Sequence, residues 1–254
     1  MTLEQRKEDR VSGVCENASF QQKHLSAQQR QKMGIDAYYR PFRVDRAEMA
    51  RERYTYRLIK RILDIVLSCL VLAVVWPVLL IFMIAVVVED PKASPIFKQI
   101  RVGQNGKTFV MYKLRSMYAN AEAQFEELVD QNEAQTKAFK MKNDPRITKV
   151  GRIARRFSVD ELFQFVNVLL ADMSIVGPRP PLTREVEQYD EYDLQRLMVR
   201  PGLTCYWQVC PNRHEISFED WVALDLKYLV SRSIGVDLLL MVKTLFVVFA
   251  GKGD

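Results

Sequence analysis

Two adjacent carboxylates, Asp160 and Glu161, follow the paired arginines Arg155 and Arg156, and the chain runs on to a proline-flanked arginine in Gly177-Pro178-Arg179-Pro180. Ser158, with Glu161 three positions later, reads as a capping box, so the spacing predicts a helix that starts here with both carboxylates in its first turn. The partial positive charge of a helix N-terminus favours an ionised carboxylate and also holds phosphate. An ionised Asp beside a phosphate site can act as a nucleophile. An acidic first turn is equally an ordinary way to begin a helix, and these residues alone leave both readings open.

The elements that must position this pair lie on both sides of it. Asn143-Asp144-Pro145-Arg146 is a turn signal, and the basic helix after it puts Arg152 on one face with Arg155 or Arg156. Behind the carboxylates an apolar helix to about residue 170 belongs in the core. Residues 95–102 alternate as a strand, Gln104-Asn105-Gly106-Lys107 turns, and residues 108–114 form the returning strand. Lys113 and Arg115 end that strand, either as a solvated strand end or as part of a site. Flanking prolines fix the backbone around Arg179, and a held guanidinium suits bidentate phosphate recognition; a polyproline turn with a solvent-facing arginine has the same sequence.

Farther along, residues 119–140 read as a polar connecting helix, 184–198 as a helix with many acids, and 206–209 as a short strand leading to Arg213 and His214. Ser217 caps a helix through residue 230 on which Trp221, Leu224, Asp225 and Tyr228 share a face. Asp225 there is either paired with an arginine or an active-site carboxylate. A last apolar helix, 234–249, suits a membrane interface or the core.

Composition narrows the chemistry. The 254 residues carry a net charge of +6, which favours acidic partners such as phosphorylated substrates, anionic lipid or nucleic acid. With only His24 and His214 present, a histidine-built metal site is excluded and any metal is a hard cation held by carboxylate and phosphate oxygens. The four cysteines have no zinc-site spacing and read as reduced, non-catalytic thiols. Residues 1–50 are polar, lack the apolar region of a secretory signal, and read as a flexible tail or one that orders on a partner.

Residues 51–61 are basic, and residues 65–88 carry no charge, enough at about 1.5 Å per residue to cross a hydrocarbon core of about 30 Å. Pro77 stands at the midpoint of this run. A kinked span and a buried helix are both open, but basic residues flank both ends, which favours a helix-break-helix hairpin bent at Trp76-Pro77 that enters and leaves one leaflet. The resulting division is a tail over 1–50, a basic flank and re-entrant membrane helix over 51–91, and a catalytic domain over 92–254.

With these pieces in place, the chain resembles the bacterial sugar transferases that start glycan assembly on a lipid carrier, the monotopic polyprenyl-phosphate hexose-1-phosphate transferases. The matching stretches are Lys60-Arg61-Ile62-Leu63-Asp64, Tyr112-Lys113-Leu114-Arg115-Ser116-Met117, Asn143-Asp144-Pro145-Arg146-Ile147-Thr148, residues 158–161, Asp172-Met173-Ser174, residues 177–180, Arg200-Pro201-Gly202-Leu203-Thr204 and residues 223–228. The resemblance implies an α+β domain with a small β-hairpin and amphipathic interfacial helices, resting on the cytoplasmic face of the bacterial inner membrane. It implies transfer of a sugar 1-phosphate from a UDP-sugar to polyprenyl (undecaprenyl) phosphate with release of UMP. Asp160 falls on the family's nucleophile, which becomes a phosphosugar-aspartate, and Glu161 on its partner. Magnesium would bridge Asp160 and the diphosphate, while Lys113, Arg155, Arg179, Arg213 and Asp225 fall on substrate-binding positions.

Two other classes remain to be weighed. A catalytically silent membrane adaptor would bind glycan-assembly proteins through the tail; the intact carboxylate pair speaks against it. Nucleic-acid binding has only the basic charge in its favour and no recognition motif. Homodimer formation stays open.

Overall fold

The computed structural model describes residues 25–45, 54–121, 144–210 and 216–249. In chain order the helices are α1 (Ala27–Met33), α2 (Tyr54–Glu89), α3 (Lys149–Arg156), α4 (Gln164–Leu169), α5 (Thr183–Val186), α6 (Glu191–Leu194), α7 (Phe218–Ser231) and α8 (Ile234–Phe249). The strands are β1 (Ile96–Val102), β2 (Thr108–Leu114), β3 (Ser174–Val176) and β4 (Gly202–Thr204). β1 and β2 are the expected antiparallel hairpin, in register from Ile96 opposite Leu114 to Val102 opposite Thr108, and its turn uses Asn105 and Gly106 at positive φ. β3 and β4 form a separate parallel pair. The mixture of helices and two small sheets is the α+β class.

The break expected at Trp76-Pro77 is not formed: residues 54–89 are one helix with Pro77 inside it. Proline deletes a single intrahelical donor, and a run of apolar side chains offers the backbone no polar partner outside the helix, so continuing costs less than opening further bonds. Most of the apolar stretch faces outward; an 18-residue part of it, of mean hydropathy 3.1, is only 11% buried. One stripe packs inward, where Leu79 and Val86 meet Leu114, Ala154 and Val159.

Both ends of α2 are tied to the same folded unit. Near its start the Arg61 guanidinium donates to the carbonyls of Val168 at 2.6 Å and Leu169 at 2.9 Å, and buried Asp64 accepts from the Ile175 amide at 3.0 Å. At its far end Glu89 accepts from the amides of Lys149 at 2.7 Å and Val150 at 2.9 Å. A cation thus caps the C-terminus of α4 and an anion the N-terminus of α3, each where the unpaired groups and the helix dipole call for that sign.

The main core gathers β3, α7, α8 and part of the expected tail. Residues 25–45 are not free: Ile35 is 0% exposed and Val44 is buried, with Leu25, Tyr38, Tyr39 and Phe42 packed around them. The average polarity of the segment hides that Ile35 and Val44 are buried and that Leu25, Met33, Tyr38, Tyr39 and Phe42 pack against the core. The predicted helix over 184–198 is instead α5, α6 and a 3-10 turn, Gln195–Met198, because Asp190 caps a fresh start by accepting from the amides of Tyr192 and Asp193. The predicted strand at 206–209 is a 3-10 turn, Trp207–Val209, and the strand lies earlier, at β4. The predicted helices over 217–230 and 234–249 are α7, with Ser217 accepting from the Asp220 amide, and α8. Residues 122–143 lie outside the described residues.

Candidate active site

The helix predicted to start at Ser158 begins later. α3 runs up to Arg156, so Ser158 must turn the chain at once; it does so in the left-handed region at φ 54°, without a side-chain cap. A capping Ser needs an extended backbone to present its hydroxyl to the following amides, and a left-handed residue cannot supply it. Asp160 and Glu161 therefore sit in a 3-10 turn, Val159–Glu161, wedged between α3 and α4, with Asp160 buried.

Asn167 fixes this turn against the hairpin. Its Nδ2 donates to the Val110 carbonyl at 2.7 Å and its Oδ1 accepts from the Tyr112 amide at 3.0 Å. That clamp of α4 on β2 brings the next residue, Lys113, to Glu161, with Nζ to Oε1 at 2.9 Å. Lys113 and Glu161 then share a cleft with Arg101, Gln164, Arg179 and Gly202. Three cations face one carboxylate there, with Asp160 adjacent in the chain. Such an excess is what an anionic, polyphosphate-like ligand would neutralise.

Gly202 and Gly177 allow the wall carrying Arg179 to close on β4: a Cβ on Gly202 would lie 2.1 Å from the Gly177 amide nitrogen, so no side chain fits. Arg101 is a cleft residue that the sequence reading missed. It is buried, its Nη1 donating to the Pro180 carbonyl at 3.0 Å and its Nε and Nη2 to Gln99 at 3.0 and 2.7 Å. Burial first, then the Arg179 cation, pull its pKa down to about 10, so it stays charged at neutral pH. The signal was available in the register. Gln99, opposite Met111, and Phe97, opposite Lys113, alternate with Arg101, which places Arg101 and Lys113 on one hairpin face.

The other expected site residues divide. Arg155 donates from Nε to Ser116 Oγ at 2.9 Å and is not on the cleft wall. Arg213 lies outside the described residues. Asp225 is not a cleft residue: it is 0% exposed, because α7 is buried on nearly every side. It stands 2.6 Å from equally buried Arg196, close but without a well-aligned hydrogen bond to either oxygen, so the attraction is Coulombic. Burial pushes its carboxyl up to about 6 against the lowering pull of Arg196. Arg196 in turn donates to the Arg179 carbonyl at 3.3 Å, so Asp225 lies one layer behind the cleft.

For a metal, the described residues assemble no group of three His, Cys, Asp or Glu side chains. The turn offers Asp160, with Glu161 already held by Lys113. That donor set fits a cation such as Mg²⁺ that keeps several waters and arrives with phosphate oxygens.

The profile of a family described as bacterial sugar transferase matches residues 55–251. The galactosyl transferase CpsE of Streptococcus agalactiae is 39% identical over 201 residues, covering 79% of this chain and 44% of that protein. The undecaprenyl-phosphate galactose phosphotransferase of Salmonella typhimurium is 40% identical over 202 residues, 78% of this chain and 42% of that protein. The UDP-glucose:undecaprenyl-phosphate glucose-1-phosphate transferase of Escherichia coli is 39% identical over 203 residues, 77% of this chain and 41% of that protein. The chain thus spans less than half the length of these three relatives.

Proposed function

Because the chain belongs to the bacterial sugar transferase family, we propose that it transfers a sugar 1-phosphate from a UDP-sugar to polyprenyl phosphate, as an early membrane step of polysaccharide or glycoconjugate synthesis. The observation that carries this reading is the cleft in which Arg101, Lys113 and Arg179 face Glu161, beside a buried Asp160. In the first step an Asp160 oxygen attacks the sugar-bearing phosphorus, an O–P bond forms, and the bridging P–O bond breaks to release UMP. In the second, a polyprenyl phosphate oxygen attacks the same phosphorus, the bond to Asp160 breaks, and polyprenyl-diphosphate-sugar leaves. The carboxylate is regenerated and the charge balances.

Phosphoryl transfer needs mainly placement and charge neutralisation. Lys113 and Arg179 are the cations we assign to the diphosphate, with Arg101 behind them. Lys113 also fixes Glu161, which is then placed to orient the incoming lipid phosphate. Asp160 would hold magnesium, which when bound neutralises charge on the diphosphate.

The exposed apolar face of α2 fits a lipid phase. That Arg61 and Glu89 both hydrogen-bond to one folded unit supports a helix that lies along one leaflet over one that crosses, since crossing would draw the folded unit between its two ends into the hydrocarbon. The basic flanks favour the cytoplasmic leaflet of the inner membrane. In membranes supplied with polyprenyl phosphate and a panel of UDP-sugars, Asp160→Asn is expected to abolish UMP release. Turnover by that variant close to wild type would remove Asp160 as nucleophile.

A further inference from the structure

Residues 25–45 precede the part of the chain that the family profile matches, yet they are strapped across the face behind the cleft. Arg40 pairs with Asp190 and lies over the Tyr192 ring at 4.7 Å, Arg43 pairs with Glu191 at 2.8 Å, and the Tyr39 hydroxyl donates to Asp220. The Tyr192 hydroxyl donates back to the Tyr38 carbonyl at 2.8 Å. The most specific hold is on Gln195. Its Oε1 accepts from the Val44 amide at 2.6 Å and its Nε2 donates to the Phe42 carbonyl at 3.1 Å.

The residue after Gln195 is Arg196, which is 1% exposed. Its guanidinium is shared among the Tyr189 hydroxyl at 2.9 Å, Asp225 at 2.6 Å and the Arg179 carbonyl at 3.3 Å. Arg179 faces the cleft. We propose that Arg196 is a positioning residue for Arg179, and that the strap, through its two hydrogen bonds to Gln195, keeps Arg196 in place. The proposal rests on reading the cleft as the diphosphate site. Its physical basis is short reach: both groups lie in one 3-10 turn, Gln195–Met198, so a shift of Gln195 moves Arg196, and a displacement of about 1 Å at a positioning group lowers turnover roughly a hundredfold.

The test is a set of double-mutant cycles on the full chain in membranes, read as UMP release. Gln195→Ala is expected to lower kcat/KM about tenfold and Arg196→Lys, which keeps a cation for Asp225 but loses the planar fork, about a hundredfold. In an Arg179→Ala background each should change kcat/KM less than about twofold, because the group they act through is gone. Full additive losses there would overturn the proposal. If Arg196→Lys does not fold, Gln195→Ala completes the cycle alone. Amide hydrogen exchange at Gly177, Arg179 and Leu182 is an independent readout: it should quicken in Gln195→Ala, and unchanged exchange would remove the strap from the linkage. Absence of UMP release by the wild-type chain with every UDP-sugar would defeat the diphosphate reading, and the exchange result would still decide whether the strap reaches Arg179.

Discussion

Asp225→Asn keeps the shape of a side chain that is 0% exposed and strips the countercharge from Arg196, which is 1% exposed. Removing one partner of a buried ion pair costs about 3–5 kcal/mol, because the other charge stays buried and unpaired. At roughly 2–4 °C per kcal/mol for a chain of this size, Tm should fall by about 6–20 °C. Tryptophan fluorescence during thermal unfolding in detergent is the assay, since Arg196 lies 4.9 Å over the Trp221 ring, which packs against Trp207 at 4.3 Å. The apolar pair Arg196→Met with Asp225→Leu should recover most of the loss, no charge being left to bury, while UMP release stays low because the Arg179 carbonyl has lost its donor. An Asp225→Asn variant melting with the wild type would refute the buried-pair reasoning.

Two more outcomes follow from the site and the membrane helix. Arg101→Ala should lower kcat/KM roughly tenfold to a hundredfold, the range of one lost charge-assisted contact, and Arg101→Lys should recover little because Gln99 and Pro180 engage the guanidinium fork; wild-type kinetics for Arg101→Ala would take it out of the site. Single cysteines placed at Tyr54 and at Lys92, in a background without the native cysteines, should both react with an impermeant maleimide from the same side of a sealed vesicle, whereas labelling from opposite sides would show that α2 crosses.

The sequence was legible where one local rule acted alone. β1 and β2 follow from period-two alternation and an Asn-Gly turn, and α7 from Ser217 and an apolar face. It misled where two rules competed. Ser158 and Glu161 satisfy the capping-box pattern, but α3 ends two residues earlier, and the chain reversal this imposes sets the backbone of Ser158 before its side chain can cap. The strap was hidden because composition averages over a segment, whereas docking depends on where Ile35 and Val44 fall. Lys113, Glu161 and Arg179, which line one cleft, were singled out by local chemistry alone. Arg101 needed the strand register, and Asp225 needed the burial of α7 on nearly every side, neither of which a motif carries.

The apolar helix is tied directly to the turn that carries Asp160 and Glu161. α3, the Val159–Glu161 turn and α4 form one continuous path, and α2 grips that path at both outer ends, with Glu89 on the first amides of α3 and Arg61 on the last carbonyls of α4. Between the grips, Leu79 and Val86 share a cluster with Ala154 and Val159. Each grip is a charge-assisted bond to backbone groups at a helix end. A displacement of α2 therefore cannot leave the turn behind without uncapping one helix or opening the cluster. On the function proposed above, with α2 in the lipid and Asp160 as the nucleophile, the depth of α2 would set the height of Asp160 at the lipid surface.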